Sequence, residues 1–206
     1  IMPPQGYVKA VRDLCTEKKL VLIFDEIQTG LGRTGKMWAG QNWNAVPDIM
    51  SIAKGIASGV PAGVTFVKDE IANCMNLGEH SSTFAGNPIA CSAGNATIDT
   101  IIKKDLVTKA SDTGTYFKNK LIELKHKHPI IRDVRGMGMM LAVELRFDVR
   151  DILMDGIKNG LLMLYSGRTI IRLLPPLVMK KELVSRAIDI MDEILSVEEK
   201  RRNVKG

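Results

Sequence analysis

The sequence predicts an α/β protein on three observations. Val21-Leu22-Ile23-Phe24 is a wholly apolar run of strand length that stops at Asp25-Glu26, as in a parallel strand covered on both faces. Residues 49–53 and 63–67 repeat the signal. Helical spacing flanks these runs: Tyr7, Val11, Leu14 and Cys15 come before the first, and Ile89, Ala93, Ala96 and Ile101 after the third. Strands and helices that alternate along the chain are what a sheet with covering helices requires.

After about residue 104 the pattern changes. Leu106, Ala110, Phe117, Leu121 and Leu124 line one face of a long helix whose other face is rich in lysine. Residues 130–135 and 139–145 read as strands around the Gly136-Met137-Gly138 turn. A helix near 148–159 follows, then short strands at 161–164 and 169–173. Val184, Ala187, Ile188, Met191 and Leu195 predict a last amphipathic helix. The expected organisation is two domains, 1–104 and 105–206, the second a small α+β domain.

Composition narrows the function classes. The chain has 206 residues, of which 45% are hydrophobic and 25% charged, values that support packed cores and exclude a disordered chain. No apolar run approaches the roughly 18 residues of a membrane span. The start, Ile1-Met2-Pro3-Pro4-Gln5-Gly6, lacks the basic and apolar regions of a signal peptide, and an isoleucine ahead of a methionine suggests a cut edge of something longer. Of the net charge of +6, four positive charges (Lys200, Arg201, Arg202 and Lys205) sit in the last seven residues. With aromatics at 5%, that cluster reads as a solvated tail rather than a nucleic-acid surface. Cys15, Cys74 and Cys91 are odd in number and widely spaced, which argues against a disulfide framework or a zinc site and suits a reducing cytosol. His126 and His128 fall on different helix faces and are expected at the surface, so no metal site is expected.

The glycine stretch 30–35 fits two phosphate-binding patterns and fails both. GxGxxG requires a strand ending at its first glycine and a helix opening right after it, but Asp25 to Thr29 intervene. GxxxxGK requires a hydroxyl after its lysine, and Lys36 is followed by Met37. Asp25 and Lys54 remain, each at the end of a predicted strand, where α/β sheets collect ligands. Spacing alone fits a strand-capping aspartate and a surface lysine as well as a site. The run Gly55-Ile56-Ala57-Ser58-Gly59 leaves little bulk beside the amine, as a bound cofactor needs. An amine facing a carboxylate suits pyridoxal phosphate: lysine for the aldehyde, carboxylate for the pyridine nitrogen. Ser81 to Pro88 offers hydroxyls and backbone N–H groups before a helix start, and also fits a plain helix cap.

Phe24-Asp25-Glu26-Ile27-Gln28-Thr29-Gly30, Ala53-Lys54-Gly55, Ser82-Thr83-Phe84-Ala85-Gly86-Asn87-Pro88, Val134-Arg135-Gly136-Met137-Gly138 and Ile171-Arg172-Leu173-Leu174-Pro175-Pro176-Leu177 occur in this order. Together they resemble the class III pyridoxal-phosphate aminotransferases, most of all the acetylornithine and ornithine aminotransferases. Archaeal enzymes acting on lysine or ornithine intermediates bound to an amino-group carrier protein are included. The resemblance implies a fold-type I α/β architecture: the C-terminal part of a large domain with a mainly parallel sheet (1–104), plus a small α+β domain (105–206). It also implies a long preceding segment with the phosphate loop and the ring-stacking aromatic.

Residue by residue, it implies Lys54 as the Schiff-base lysine and Asp25 as partner of the pyridinium nitrogen. Ile27 would pack on the ring, Gln28 would bond the phenolic oxygen, and Thr83, with Ser82 beside it, would bind the phosphate of a neighbouring subunit's cofactor. Arg172 would face a substrate carboxylate. The implied cytoplasmic enzyme is a homodimer with a shared active site that moves a terminal amine to 2-oxoglutarate. A 4-aminobutyrate aminotransferase, a glutamate-semialdehyde aminomutase or a truncated non-catalytic remnant are the alternatives. Ala57-Ser58 and Ala85 depart from the glycines frequent in relatives.

Overall fold

The computed structural model describes residues 1–203. They form two compact units, one spanning Ile1–Val107 and a second beginning at Thr108. In the first, helix α1 (Tyr7–Glu17) falls where the apolar spacing predicts it. Three strands follow, β1 (Ile23–Asp25), β2 (Ile49–Ile52) and β3 (Val64–Val67), in a sheet of order β1-β2-β3. β1 and β2 are parallel, with Ile23 opposite Ile49 and Asp25 opposite Ser51. β3 runs antiparallel to β2. The chain reverses between them through a short 3₁₀ turn, Lys54–Ala57, and the positive φ of Ser58 (47°) and Gly59 (111°). Ser58, one of the departures from glycine, thus takes the left-handed backbone that glycine favours, and its hydroxyl bonds Thr97 Oγ1 at 2.9 Å.

The expectation of strands covered on both faces is not met. Val21, Ile23, Val64 and Phe66 are all exposed, and Ile52 alone among the strand residues of this sheet is buried. An apolar run specifies a strand, but its burial depends on what lies across each face, and within this chain little does. A single-turn helix α2 (Asp69–Ala72), which the apolar spacing does not signal, leads towards α3 (Pro88–Lys103). Asn87 caps α3 by accepting from Ala90 N at 2.9 Å, with Pro88 in its first turn. Asp48, just before β2, is buried and anchors three segments. It accepts from Arg12 of α1 at 2.7 Å, from Lys68 after β3 at 2.7 Å and from Leu22 N at 2.8 Å.

The second unit takes in α4 (Leu106–Lys127) from Thr108 onward and continues with β4 (Ile131–Met137), β5 (Met140–Leu145), α5 (Arg150–Lys158), β6 (Leu164–Ser166), β7 (Ile170–Leu173) and α6 (Lys181–Arg201). Its sheet is antiparallel, in the order β4-β5-β7-β6. Burial alternates strictly along β5, so one face carries Leu141, Val143 and Leu145 into a core completed by Phe117 and Leu121 of α4 and Met191 and Leu195 of α6. β6 starts three residues later than the apolar pattern predicts.

Two expectations are corrected here. His128 is not at the surface. It is 1% exposed, with Nε2 2.6 Å from Asp192 Oδ1 and Nδ1 3.0 Å from Glu199 Oε2. The C-terminal cations are not simply a solvated tail either. α6 runs through Arg201, which pairs with Glu198 at 2.7 Å and with Asp155 of α5 at 3.0 Å. Arg202 bonds Glu198 at 2.6 Å and stacks 3.6 Å from the centroid of Phe147. Lys205 lies outside the described residues.

Candidate active site

Because β1 and β2 are parallel neighbours, their carboxyl ends open on the same edge of the sheet. Asp25 is the last residue of β1, and Lys54 follows β2 by two residues. Both residues therefore lie where their strands leave the same edge of the sheet, Lys54 as the first residue of the 3₁₀ turn after β2. Asp25 is exposed, and its Oδ1 accepts from the backbone N–H of Ile27 at 2.9 Å. That bond fixes the carboxylate against its own turn and leaves Oδ2 without a partner among the described residues. Lys54 is exposed and makes no hydrogen bond or ion pair among the described residues. Its φ of 52° is rare for a residue with a side chain. Behind it, Ile56 and Ala57 are buried, while Gly59 has open space where a side chain would stand.

Ile27 and Gln28 sit half-buried in the turn after β1. The segment from Asp25 to Trp43 is a loop of successive turns ending in a 3₁₀ helix, Ala39–Trp43, with no α-helix opening on the glycines. Its centre is a residue that sequence reasoning did not single out. Glu26 is 2% exposed. Its carboxylate accepts from Ala39 N, Gly40 N and Thr29 Oγ1, each at 2.9 Å. The sequence signal was a carboxylate directly after a strand with a hydroxyl three residues on, which the neighbouring Asp25 overshadowed. Gly40 has to be glycine, since a Cβ there would lie 2.6 Å from Ala45 O and 2.8 Å from the Phe24 ring. Arg33 is half-buried in the same loop, and burial lowers its pKa.

The remaining predicted residues lie elsewhere. Ser82 and Thr83 occupy an exposed turn, closed by Ala85 N on Ser82 O at 3.2 Å, just ahead of the α3 cap. Their hydroxyls make no hydrogen bond among the described residues. Arg172 is on β7 in the second unit, opposite Ala142 of β5 and Leu164 of β6. Its Nε is buried with no hydrogen-bond partner among the described residues. Among those residues no cluster of His, Cys, Asp and Glu could hold a metal ion, and no helix is long and apolar enough to cross a membrane.

The order of these motifs along the chain is also that of a known family, whose model, aminotransferase class III, matches residues 1–195. The chain belongs to the class III aminotransferases. Acetylornithine aminotransferase of Methanocaldococcus jannaschii is 42% identical over 192 residues, which cover 93% of this chain and 48% of that protein. Its counterpart in Aquifex aeolicus is 40% identical, over 93% of this chain and 49% of the relative. Among solved structures, acetylornithine aminotransferase from Elizabethkingia anophelis superposes with a TM-score of 0.91 at 30% identity, covering 95% of this chain and 53% of that one. Ornithine aminotransferase from Toxoplasma gondii gives 0.93 at 32% identity, over 97% and 49%. The fold is thus that of the pyridoxal-phosphate aminotransferases, and the family is pyridoxal-phosphate-dependent. The chain spans about half the length of the relatives it matches.

The site residues present fit that cofactor. Asp25 offers an acceptor fixed by backbone, Lys54 just beyond the adjacent strand an amine without a partner among the described residues, and Gly59, five residues on, open space where a side chain would stand.

Proposed function

We propose that this chain is part of a cytoplasmic class III aminotransferase that moves a terminal amino group from an acetylornithine- or ornithine-like donor to 2-oxoglutarate. A lysine or ornithine intermediate bound to an amino-group carrier protein is a further donor of the same chemistry. The observation that carries the reading is Asp25 and Lys54 at the carboxyl ends of adjacent parallel strands, both exposed, in a chain of this family. In this reading residues 1–104 belong to the large cofactor-binding domain, and residues 105–206 form the small domain.

Pyridoxal phosphate, when bound, supplies an aldehyde for amines and a ring that takes up electrons. Lys54 Nζ would be the amine that holds the cofactor. Its amine, when free, would act as base and acid for the proton on the substrate carbon that bears the transferred nitrogen. Asp25 Oδ2 would face the protonated ring nitrogen, with Ile27 N–H holding Oδ1 in place. Ile27 would pack on the ring and Gln28 would donate to its phenolic oxygen. Thr83, with Ser82 beside it, would serve the phosphate of a partner subunit's cofactor in a homodimer, and Arg172 would face a substrate carboxylate.

The test is absorbance spectroscopy with pyridoxal phosphate, followed by turnover of acetylornithine, ornithine and 4-aminobutyrate with a full-length version. The expected result is a lysine–cofactor band lost in Lys54→Ala, with turnover highest for acetylornithine or ornithine. A full-length version that forms no such band overturns the reading. Preference for 4-aminobutyrate moves the assignment to that branch of the family.

A further inference from the structure

Glu26 has no role in the chemistry above, yet it is the most deeply buried carboxylate of the first unit. Its donors come from both ends of the loop that follows β1. Thr29 Oγ1 belongs to the start, and Ala39 N and Gly40 N to the finish, where they open the 3₁₀ helix. Its backbone is committed as well: the N–H donates to Ser51 O of β2 at 2.9 Å, and the carbonyl accepts from Gly30 N at 3.0 Å. Between these ties lie Ile27, whose N–H orients Asp25, and Gln28. Three donors on one buried carboxylate leave no neutral substitute, because an amide in its place turns its own N–H donors towards one or more of them.

We propose that Glu26 is a positioning residue of the site: its carboxylate ties both ends of loop 27–40 to the end of β1 and so holds Ile27 N–H on Asp25. The proposal rests on the aminotransferase reading for its chemical meaning, and its geometry can be tested without cofactor. Glu26→Gln keeps the volume and removes one acceptor. Thr29→Val removes a single outer bond. Asp25→Asn leaves the Glu26 ties intact.

The experiment measures amide hydrogen exchange of the 206-residue chain, then the pH profile of the lysine–cofactor band. In Glu26→Gln, protection at Ile27, Ala39 and Gly40 falls about ten-fold, the size of one net hydrogen bond. Thr29→Val loses less, and Asp25→Asn leaves Ala39 and Gly40 protected. With pyridoxal phosphate, Glu26→Gln shifts the pH profile in the direction Asp25→Asn does, which looser packing alone would not produce. Unchanged Ile27 protection in Glu26→Gln overturns the proposal, as does a wild-type pH profile. If Glu26→Gln does not fold, Thr29→Val decides by the same Ile27 amide. If the 206-residue chain forms no band, the pH profile is read on a full-length version, whose lack of a band counts against the aminotransferase reading alone; Ile27 exchange decides for or against Glu26 in either case.

Discussion

The two units turn the same kind of sequence signal into different degrees of burial. In the second, β5 and β7 alternate, and their inner residues Leu141, Val143, Leu145 and Ile171 are each no more than 2% exposed beneath α4 and α6. In the first, the strands are as apolar, yet Val21 and Ile23 are more than half exposed and Phe66 nearly so. Its buried apolar residues are mostly in loops and turns, such as Leu31, Ala39, Ala45, Ile56 and Ala57. The unit that carries Asp25 and Lys54 therefore owes its shape chiefly to polar anchors, Asp48 and Glu26, and the other to a continuous apolar core. Exposed apolar surface of this kind marks contacts to be made, and the curated relatives are about twice as long as this chain.

The largest test of that contrast is a matched pair of truncations. Leu121 is fully buried on α4, so Leu121→Ala is expected to cost about 2–5 kcal/mol, transfer and cavity terms combined. Ile23 is 60% exposed, and Ile23→Ala is expected to cost under about 1 kcal/mol, since little apolar area returns to water. Urea unfolding of the whole chain, followed by a probe in each unit, checks both. Equal losses would mean that the first unit is far better packed than its exposed strands suggest.

An intermediate effect is expected at Asp48. Breaking a buried ion pair from one side costs about 3–5 kcal/mol. Lys68 is 43% exposed, and solvent screens its share. Asp48→Asn should therefore cost about 1–3 kcal/mol, most of it from Arg12 and the Leu22 N–H. The hydrogen bond from Lys68, then those from Leu22 and Arg12, hold the Asp48 carboxyl well below the usual carboxylate range against the opposing effect of burial. A folded-state pKa below the unfolded one contributes stability above about pH 4, the ordinary aspartate value, and loses it as pH falls further towards the folded value. Wild-type stability should decline with acid over that window, and Asp48→Asn should flatten the decline. A chevron or melt series from pH 6 to 2.5 on both proteins reads it directly.

What was legible in the sequence follows the range of the interaction. α1, α3, α4 and α6 were visible because helical spacing is set by residues three and four apart. The strand ending at Asp25 was visible for the same local reason, whereas β2 stops at Ile52 and Lys54 opens the 3₁₀ turn beyond it rather than ending the strand. Partners far along the chain were not. His128 is buried by Asp192 and Glu199, more than sixty positions away, and its lysine-rich neighbours pointed to the surface. Arg201 and Arg202 looked like a tail because a charge run does not name Asp155 or Phe147 as partners. Glu26 was hidden because Ala39 and Gly40 reach it through backbone N–H groups, which every residue but proline carries.

The smallest effect sharpens the comparison because distance is held constant. α1 carries two ion pairs of nearly the same length, Lys9–Asp13 at 2.6 Å and Arg12–Asp48 at 2.7 Å. The first has both side chains more than half exposed, the second at most 14%. Lys9 also precedes Asp13 by one turn, the less favourable order for the helix dipole. Asp13→Asn is therefore expected to shift stability by under about 0.5 kcal/mol, and 0.5 M salt should erase even that. A double-mutant cycle at each pair, read by urea midpoints, measures the coupling with the rest of the chain held fixed. Equal couplings would mean that ion-pair length, rather than burial, governs what holds α1 to the first unit. A several-fold difference in favour of Arg12–Asp48 would place that hold in the buried anchor.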